Sequence, residues 1–370
     1  MTSTAMIHTE DARTPQTESG RRAPRTKPVG SCPICGTIKS KLLFKAKDRM
    51  HGTPGEFTYR RCASCATVFQ DPRVVHEDLE LCYPEEYYTQ GQDGQEGAEA
   101  ALLARSRRLV SILRDRLRAA IVCSVQGEPL RGVLGSIAKV FATSVRLRER
   151  AFYGTADELI PRTKRRVRAL DVGCGAGMLM KQLQRTGWEV EGVEWSPVGA
   201  ERARRNTGRP VLTGDFREAE LPLASYDLIL LSHVFEHLEE PIGALRRIKE
   251  LLAADGRAVL FYPNPQSLGA MILGKSWFSW EVPRHLVMPP AAALADAAHE
   301  GGLILSHART TARFAAEFFC HSRVLPIGGA PDVRPNIWDK ALGLLESLLI
   351  ILGLEVGDEV IVVLRTGARA

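Results

Sequence analysis

One stretch constrains the chain more than any other: Arg168-Ala-Leu-Asp-Val-Gly-Cys-Gly-Ala-Gly-Met178. The mostly apolar run Val167 to Val172 reads as a buried strand. It breaks into Gly173, Gly175 and Gly177, after which Met178 to Arg185 reads as a helix. A strand, a glycine turn and a helix present backbone N–H groups and the positive end of a helix dipole to a ligand. Side chains in the turn would block that approach. The spacing is G-x-G-x-G, and Met178 stands where the third glycine of a dinucleotide fingerprint belongs.

At Asp171-Val-Gly-Cys-Gly-Ala-Gly177 the chain resembles the class I S-adenosylmethionine (SAM)-dependent methyltransferases, whose first motif is an acid, an apolar residue and G-x-G-x-G. The resemblance covers about residues 162–370. It implies an α/β fold with a Rossmann-like seven-stranded sheet, and it places Asp171, Gly173, Gly175 and Gly177 at the cofactor. Trp188 to Glu194 reads as a second strand. By resemblance Glu194 takes both ribose hydroxyls, with Trp195 beside it, Asp215 accepts from the adenine amino group and the Phe216 backbone donates to the ring. Ser225 to His237 reads as the fourth strand, opened by Asp227, running into a loop and helix, with Ser232 and His233 at the strand's carboxyl end where ligands of open α/β sheets bind. His233-Val-Phe-Glu-His-Leu-Glu-Glu-Pro241 is similar to the family's segment after that strand.

The remaining pattern alternates: helices at 200–206, 245–254, 289–302 and 338–354, strands at 211–212, 255–262, 303–309 and 359–365. Gly269-Ala-Met-Ile-Leu-Gly-Lys-Ser276 matches G-x4-G-K-S but lacks the flanking strand and helix a phosphate loop needs. It reads instead as a loop over the active site, whose Trp277, Phe278, Trp280, Arg284 and His285 could shape an acceptor pocket. The stretch 341–354 is too short to span a bilayer, is interrupted by Glu346, and reads as a core helix.

Upstream, Cys32, Cys35, Cys62 and Cys65 form C-x2-C-x26-C-x2-C around two strand-like pieces, 41–46 and 56–60. Two such knuckles close a tetrahedral four-cysteine site, so a structural Zn2+ in a zinc-ribbon module is expected. Cys82, Cys123, Cys174 and Cys320 have no such spacing and read as small buried residues. The domain reading is therefore a disordered tail at 1–30, a four-cysteine module at 31–75, a linker and basic helical lid or insert at 76–160, and a SAM-binding domain at 161–370.

Apolar content of 45% and charged content of 25% suit a water-soluble globular protein. No apolar signal segment or membrane span is present, so the expected location is cytoplasmic with reduced thiols. The net charge of +6 sits in arginine clusters outside the glycine core, which suit an anionic partner or simply solvated helix faces.

Methyl transfer to a hydroxyl or carbon acid needs a group that removes a proton, and histidine suits that near neutral pH. His237 and His285 are the candidates, with His233 assigned to the cofactor pocket. The motif [DNS]-P-P-[YF], by which family members methylate base amines, is replaced by Ser232-His-Val-Phe235. The reading is O- or C-methylation of a small-molecule acceptor such as a sugar, secondary metabolite or lipid or glycan precursor. The knuckles are similar to those of nucleotide-sugar C-methyltransferases, which carry a further C-terminal domain, so O-methylation stays the more open. An RNA methyltransferase, whose arginines would track phosphates, and a non-catalytic zinc-ribbon adaptor are the alternatives; nucleic acid is the less favoured partner.

Overall fold

The computed structural model describes residues 22–83, 116–127, 132–143, 157–160, 167–325 and 334–367. Much of the expected linker and basic helical segment at 76–160, and most of the arginine clusters, lie outside the described residues. Within the basic helical segment, 116–125 and Gly132–Ala142 are helical.

Strands β1 (Thr26–Lys27) and β5 (Arg73–Val74) form a two-stranded antiparallel ribbon. The expectation of a disordered tail through residue 30 is therefore corrected from Arg22 onward. Arg22 and Arg25 both grip the carboxylate of Asp78, and the Val29 amide donates to Asp71 at 2.9 Å. Polar, glycine-poor sequence reads as disorder only when no buried partner awaits it, and here Asp78 is one.

Strands β2 (Ser40–Ala46), β3 (Phe57–Cys62) and β4 (Val68–Gln70) make an antiparallel meander. Its fourth strand comes from far downstream: β11 (Val287–Met288) pairs with β4, Val287 opposite Phe69.

The central sheet runs β12-β13-β10-β9-β6-β7-β8. Its strands are β6 (Val167–Val172), β7 (Trp188–Glu194), β8 (Val211–Thr213), β9 (Tyr226–Ser232), β10 (Leu252–Pro263), β12 (Leu303–Thr311) and β13 (Glu359–Thr366). β13 is antiparallel to both neighbours; β6 to β10 pair in parallel. Both faces of the sheet are covered, so the inner strands read as near-continuous apolar runs: in Tyr226-Asp-Leu-Ile-Leu-Leu231 every residue is buried. Order reverses at β6, flanked by β7 and β9, which makes its carboxyl end the switch-point crevice where ligands sit in such sheets.

Element ends follow local chemistry. Ser196 caps the helix Pro197–Thr207 by accepting the Gly199 amide, Pro197 starts it, and Gly208 leaves it in the left-handed region. Pro241 likewise starts the helix Pro241–Leu251 four residues earlier than periodicity indicated, and β10 begins at Leu252 through a bulge before Arg257.

Two expectations fail. Residues 269–276 are not a loop but the helix Leu268–Leu273 and a 3-10 turn, and Trp277 and Trp280 are buried against the meander. Their rings meet edge to face at 5.0 Å, and Trp280 packs on Phe44 at 4.9 Å. The helix Ile337–Ile351 is not a core helix: Leu344 and Leu348 are 62% and 48% exposed while Glu346 is fully buried. Its carboxylate accepts the Asp358 amide at 2.7 Å, a partner that lies outside the helix and outside any periodicity.

Candidate active site

The crevice at the end of β6 is floored by the glycine turn. Gly173, Gly175 and Gly177 have φ of 68°, 53° and 82°, a region that a side chain enters at a cost of about 1 kcal/mol or more. The Gly173 amide donates to the Val193 carbonyl at 2.7 Å, which locks the turn to β7. At the end of β7 the Glu194 carboxylate accepts from the Gly175 amide (2.7 Å) and the Ser196 amide (2.9 Å). Both oxygens are thus held in place at the mouth of the turn.

Asp171 lies beneath, 1% exposed, with one carboxyl oxygen lacking a partner. Burial, and then the negative charge of Glu194, push it up to about 8, so it carries a proton at neutral pH. Asp215 follows β8 and is clasped by Arg217 through Nε (2.9 Å) and Nη2. Phe216 is buried in the core and Trp195 is exposed, edge-on to His76 at 5.6 Å.

The other wall is the segment after β9. A side chain at Gly173 would meet Val234 at 2.4 Å, so this segment packs directly on the glycine turn. Ser232 ends the strand. His233, at φ 54°, sits between two buried carboxylates, Glu359 at 2.8 Å and Glu236 at 3.2 Å. Burial opposes its charge, but those two hydrogen bonds outweigh it and raise its pKa to about 10. It is an imidazolium in an ion-pair network that also includes Arg313 on Glu359.

Beyond it Glu236, His237 and His285 each bring one donor atom within 4.8 Å of the others. Such a set suits either proton handling or a divalent cation. The two histidine rings meet edge to face at 4.7 Å. The structure separates them chemically. His285 is 2% exposed, pairs through Nδ1 with the Ser279 carbonyl at 2.8 Å, and is pushed down to about 4, mainly by burial. It is neutral, with Nδ1–H donating and the Nε2 lone pair turned toward Glu281 (3.4 Å) and Glu236 (3.8 Å). His237 is half-buried and holds the Arg284 carbonyl (3.1 Å) and the Tyr83 hydroxyl (2.9 Å) through Nδ1. Burial would raise the pKa of Glu236, but the His233 hydrogen bond and the nearby imidazoles hold it below the usual carboxylate range.

Residues 145–308 match the family described as "Methyltransferase domain". That stretch carries a methyltransferase domain. It is 32% identical over 125 residues to the ubiquinone biosynthesis O-methyltransferase of Cereibacter sphaeroides, covering 32% of this chain and 51% of that one. With the enzyme of the same name from Methylocella silvestris it shares 29% identity over 167 residues, 40% and 65% of the two chains. The chain thus spans about half to two thirds of the length of these two relatives. Among solved structures, an S-adenosylmethionine-dependent methyltransferase from Mesorhizobium loti is similar at 17% identity and a TM-score of 0.40, over 56% of this chain and 94% of that one.

Ahead of the methyltransferase domain the four cysteines converge. Cys32 and Cys65 sulfurs are 3.6 Å apart, Cys35 and Cys62 sulfurs 3.5 Å. Tetrahedral zinc with Zn–S near 2.3 Å separates its sulfurs by about 3.8 Å. The donor set fits Zn2+ and leaves no open position, so its contribution would be to hold the two knuckles together. Of the other cysteines, Cys82, Cys174 and Cys320 are buried.

The methyltransferase motifs pointed to the glycine turn, Glu194 and the histidines. They did not point to Tyr83, Asp48, Glu236 or Glu359 as partners. Glu236 had a local signal, its place between two histidines in His233-Val-Phe-Glu-His237. Tyr83, Asp48 and Glu359 lie 126 residues or more along the chain from the residues they bond.

Proposed function

We propose that the protein transfers the methyl group of SAM to an oxygen of a small-molecule acceptor, with His237 as the general base. The observation that supports this best is the packing of Val234 on Gly173, which sets the histidine segment against the glycine turn. The turn and Glu194 would hold SAM, Glu194 exchanging its Gly175 and Ser196 amide contacts for ribose hydroxyls. Asp215 would meet adenine after releasing part of its hold on Arg217. SAM supplies an electrophilic sulfonium methyl; the protein's task is to align the acceptor oxygen and take its proton. His237 suits that task because its Nδ1 donates to the Arg284 carbonyl, which leaves Nε2 to accept. The charge formed would be stabilised by Glu236, which is ionised and has an oxygen without a partner. His285, neutral and sealed, donates its Nδ1–H to the Ser279 carbonyl and is left out of the base's role. The relatives' name supports oxygen as the methylated atom.

The test begins with calorimetric binding of SAM and S-adenosylhomocysteine to the zinc-loaded protein. Glu194→Ala should weaken both by about 10- to 100-fold, the loss of one or two charge-assisted hydrogen bonds. Tritiated-methyl transfer to a panel of phenols, catechols and sugars follows. His237→Gln should keep SAM affinity and lower turnover by roughly 10²- to 10⁴-fold. No SAM binding by the folded wild type, or full turnover by His237→Gln, would sink the proposal.

A further inference from the structure

The acceptor-side segment 283–288 is held by the four-cysteine module as well as by the domain it belongs to in sequence. Its backbone is bound by the four-cysteine module. Gln70 donates through its side chain to the Pro283 carbonyl (3.1 Å) and through its amide to Leu286 (3.0 Å). The buried Tyr59 hydroxyl donates to the His285 carbonyl at 2.9 Å. β11 then joins β4 as a strand of the module's sheet. Within the segment, Arg284 is wholly buried and makes a two-pronged pair with Asp48, also wholly buried, at 2.9 and 3.1 Å. Asp48 is itself fixed by the amides of Met50, His51 and Thr53. The same Arg284 gives a hydrogen bond to the Cys82 carbonyl, next to Tyr83, and its own carbonyl faces His237. On the other side the Leu286 amide donates to the Glu236 carbonyl at 2.7 Å.

We infer that Asp48 and Tyr59 of the four-cysteine module are positioning residues for His237 and His285, acting through Arg284 and the backbone of 283–286. This rests on the reading of the histidine segment as the acceptor side of the site. On the cofactor side the contacts of Glu194 described above come from the glycine turn and from Ser196, not from the module. The module therefore governs proton-handling geometry separately from SAM binding. A buried charge pair suits that role because it has one good geometry, and a missing partner leaves an uncompensated charge.

The test uses the full-length zinc-loaded protein as wild type, Asp48→Asn and Tyr59→Phe. Asp48→Asn keeps the shape and drops the charge. Tyr59→Phe drops one hydroxyl and folds even if the first variant does not. Imidazole nitrogen NMR, assigned with His237→Gln and His285→Gln, reports tautomer and titration without any methyl acceptor. In wild type His285 shows a fixed Nδ1–H tautomer. In the variants its two nitrogen signals move toward a tautomer average, and the His237 nitrogen signals at fixed pH move with them. The groups facing those rings are Glu236, Glu281, Tyr83 and Arg284. The affinity for SAM by calorimetry stays within about twofold. Histidine signals that do not move in a folded variant would overturn the inference, as would loss of SAM affinity in step with the histidine changes. Failure of wild type to bind SAM would instead overturn the proposed function, with the NMR comparison still reading the coupling.

Discussion

Asp171→Asn should make the protein's stability less sensitive to alkaline pH, and the size of the change follows from where the carboxyl sits. Asp171 is 1% exposed, one oxygen has no partner, and burial with the Glu194 charge moves its pKa to about 8. In the unfolded chain it titrates near 4. Between those values the folded state binds more protons than the unfolded state, so stability falls as pH rises through the window. At 1.36 kcal/mol per decade, the loss between pH 5 and pH 8 is on the order of 3 to 4 kcal/mol. Asparagine has nearly the same volume and does not titrate. Urea unfolding of both proteins, followed by circular dichroism at pH 5, 6, 7 and 8 with zinc kept saturating, gives the difference in stability at each pH. Any pH-independent effect of the amide cancels in the trend. The difference should move in favour of the variant by that amount from pH 5 to pH 8. A flat difference would mean that Asp171 is ionised in the folded protein and that the argument from burial is wrong. A related result follows: a cation bound at the glycine turn would draw the proton off, so SAM binding near pH 7 should release protons, read from the dependence of calorimetric enthalpy on buffer.

Gly173→Ala should destabilise the protein by about 2 kcal/mol or more and weaken SAM binding, since the new carbon meets Val234 at 2.4 Å at a φ of 68°; thermal denaturation and calorimetry check it. Removing zinc with a strong chelator, or Cys62→Ser, should abolish a metal content of about one per chain by elemental analysis and lower the melting temperature. His233 gains its partners as a cation, so its contribution is full below its ordinary pKa of about 6.5 and is lost as pH rises through about 10. His233→Gln should therefore be less stable than wild type at pH 6 and converge on it above pH 10, with the gap reduced by solvent screening because the ring is 37% exposed. Glu346 is raised to about 9 by burial and by Asp358, so Glu346→Gln should gain stability relative to wild type as pH rises from 6 to 9 in the same unfolding assay.

The segments read most accurately were those whose determinants lie within a few residues. Val167–Val172, Met178–Arg185 and Trp188–Glu194 have the bounds their patterns predict, because a glycine turn and an apolar run are local signals. Two cysteine knuckles likewise announce their own convergence, since each pair is set by one tight turn. The helix Ile337–Ile351 shows the limit. Its composition says core, yet the buried residue is Glu346, because the amide it accepts belongs to Asp358 on another element. The aromatic segment after Ser276 was legible as special but not as packed, because its partners Phe44 and Tyr59 precede it by more than two hundred residues.

Sequence by itself determined the class of sheet, the glycine turn with its acid at Glu194, and the four-cysteine module, all of which follow from short-range spacing and backbone freedom. Tertiary structure alone set the two candidate histidines apart. His237 and His285 are the same residue type, and only burial and partners separate them: a ring sealed on the Ser279 carbonyl, and a half-buried one on the Tyr83 hydroxyl and the Arg284 carbonyl. Solvation and charge at a site are sums over everything that surrounds it, and what surrounds this one arrives from Asp48, Tyr83 and Glu359, positions the chain brings together only by folding.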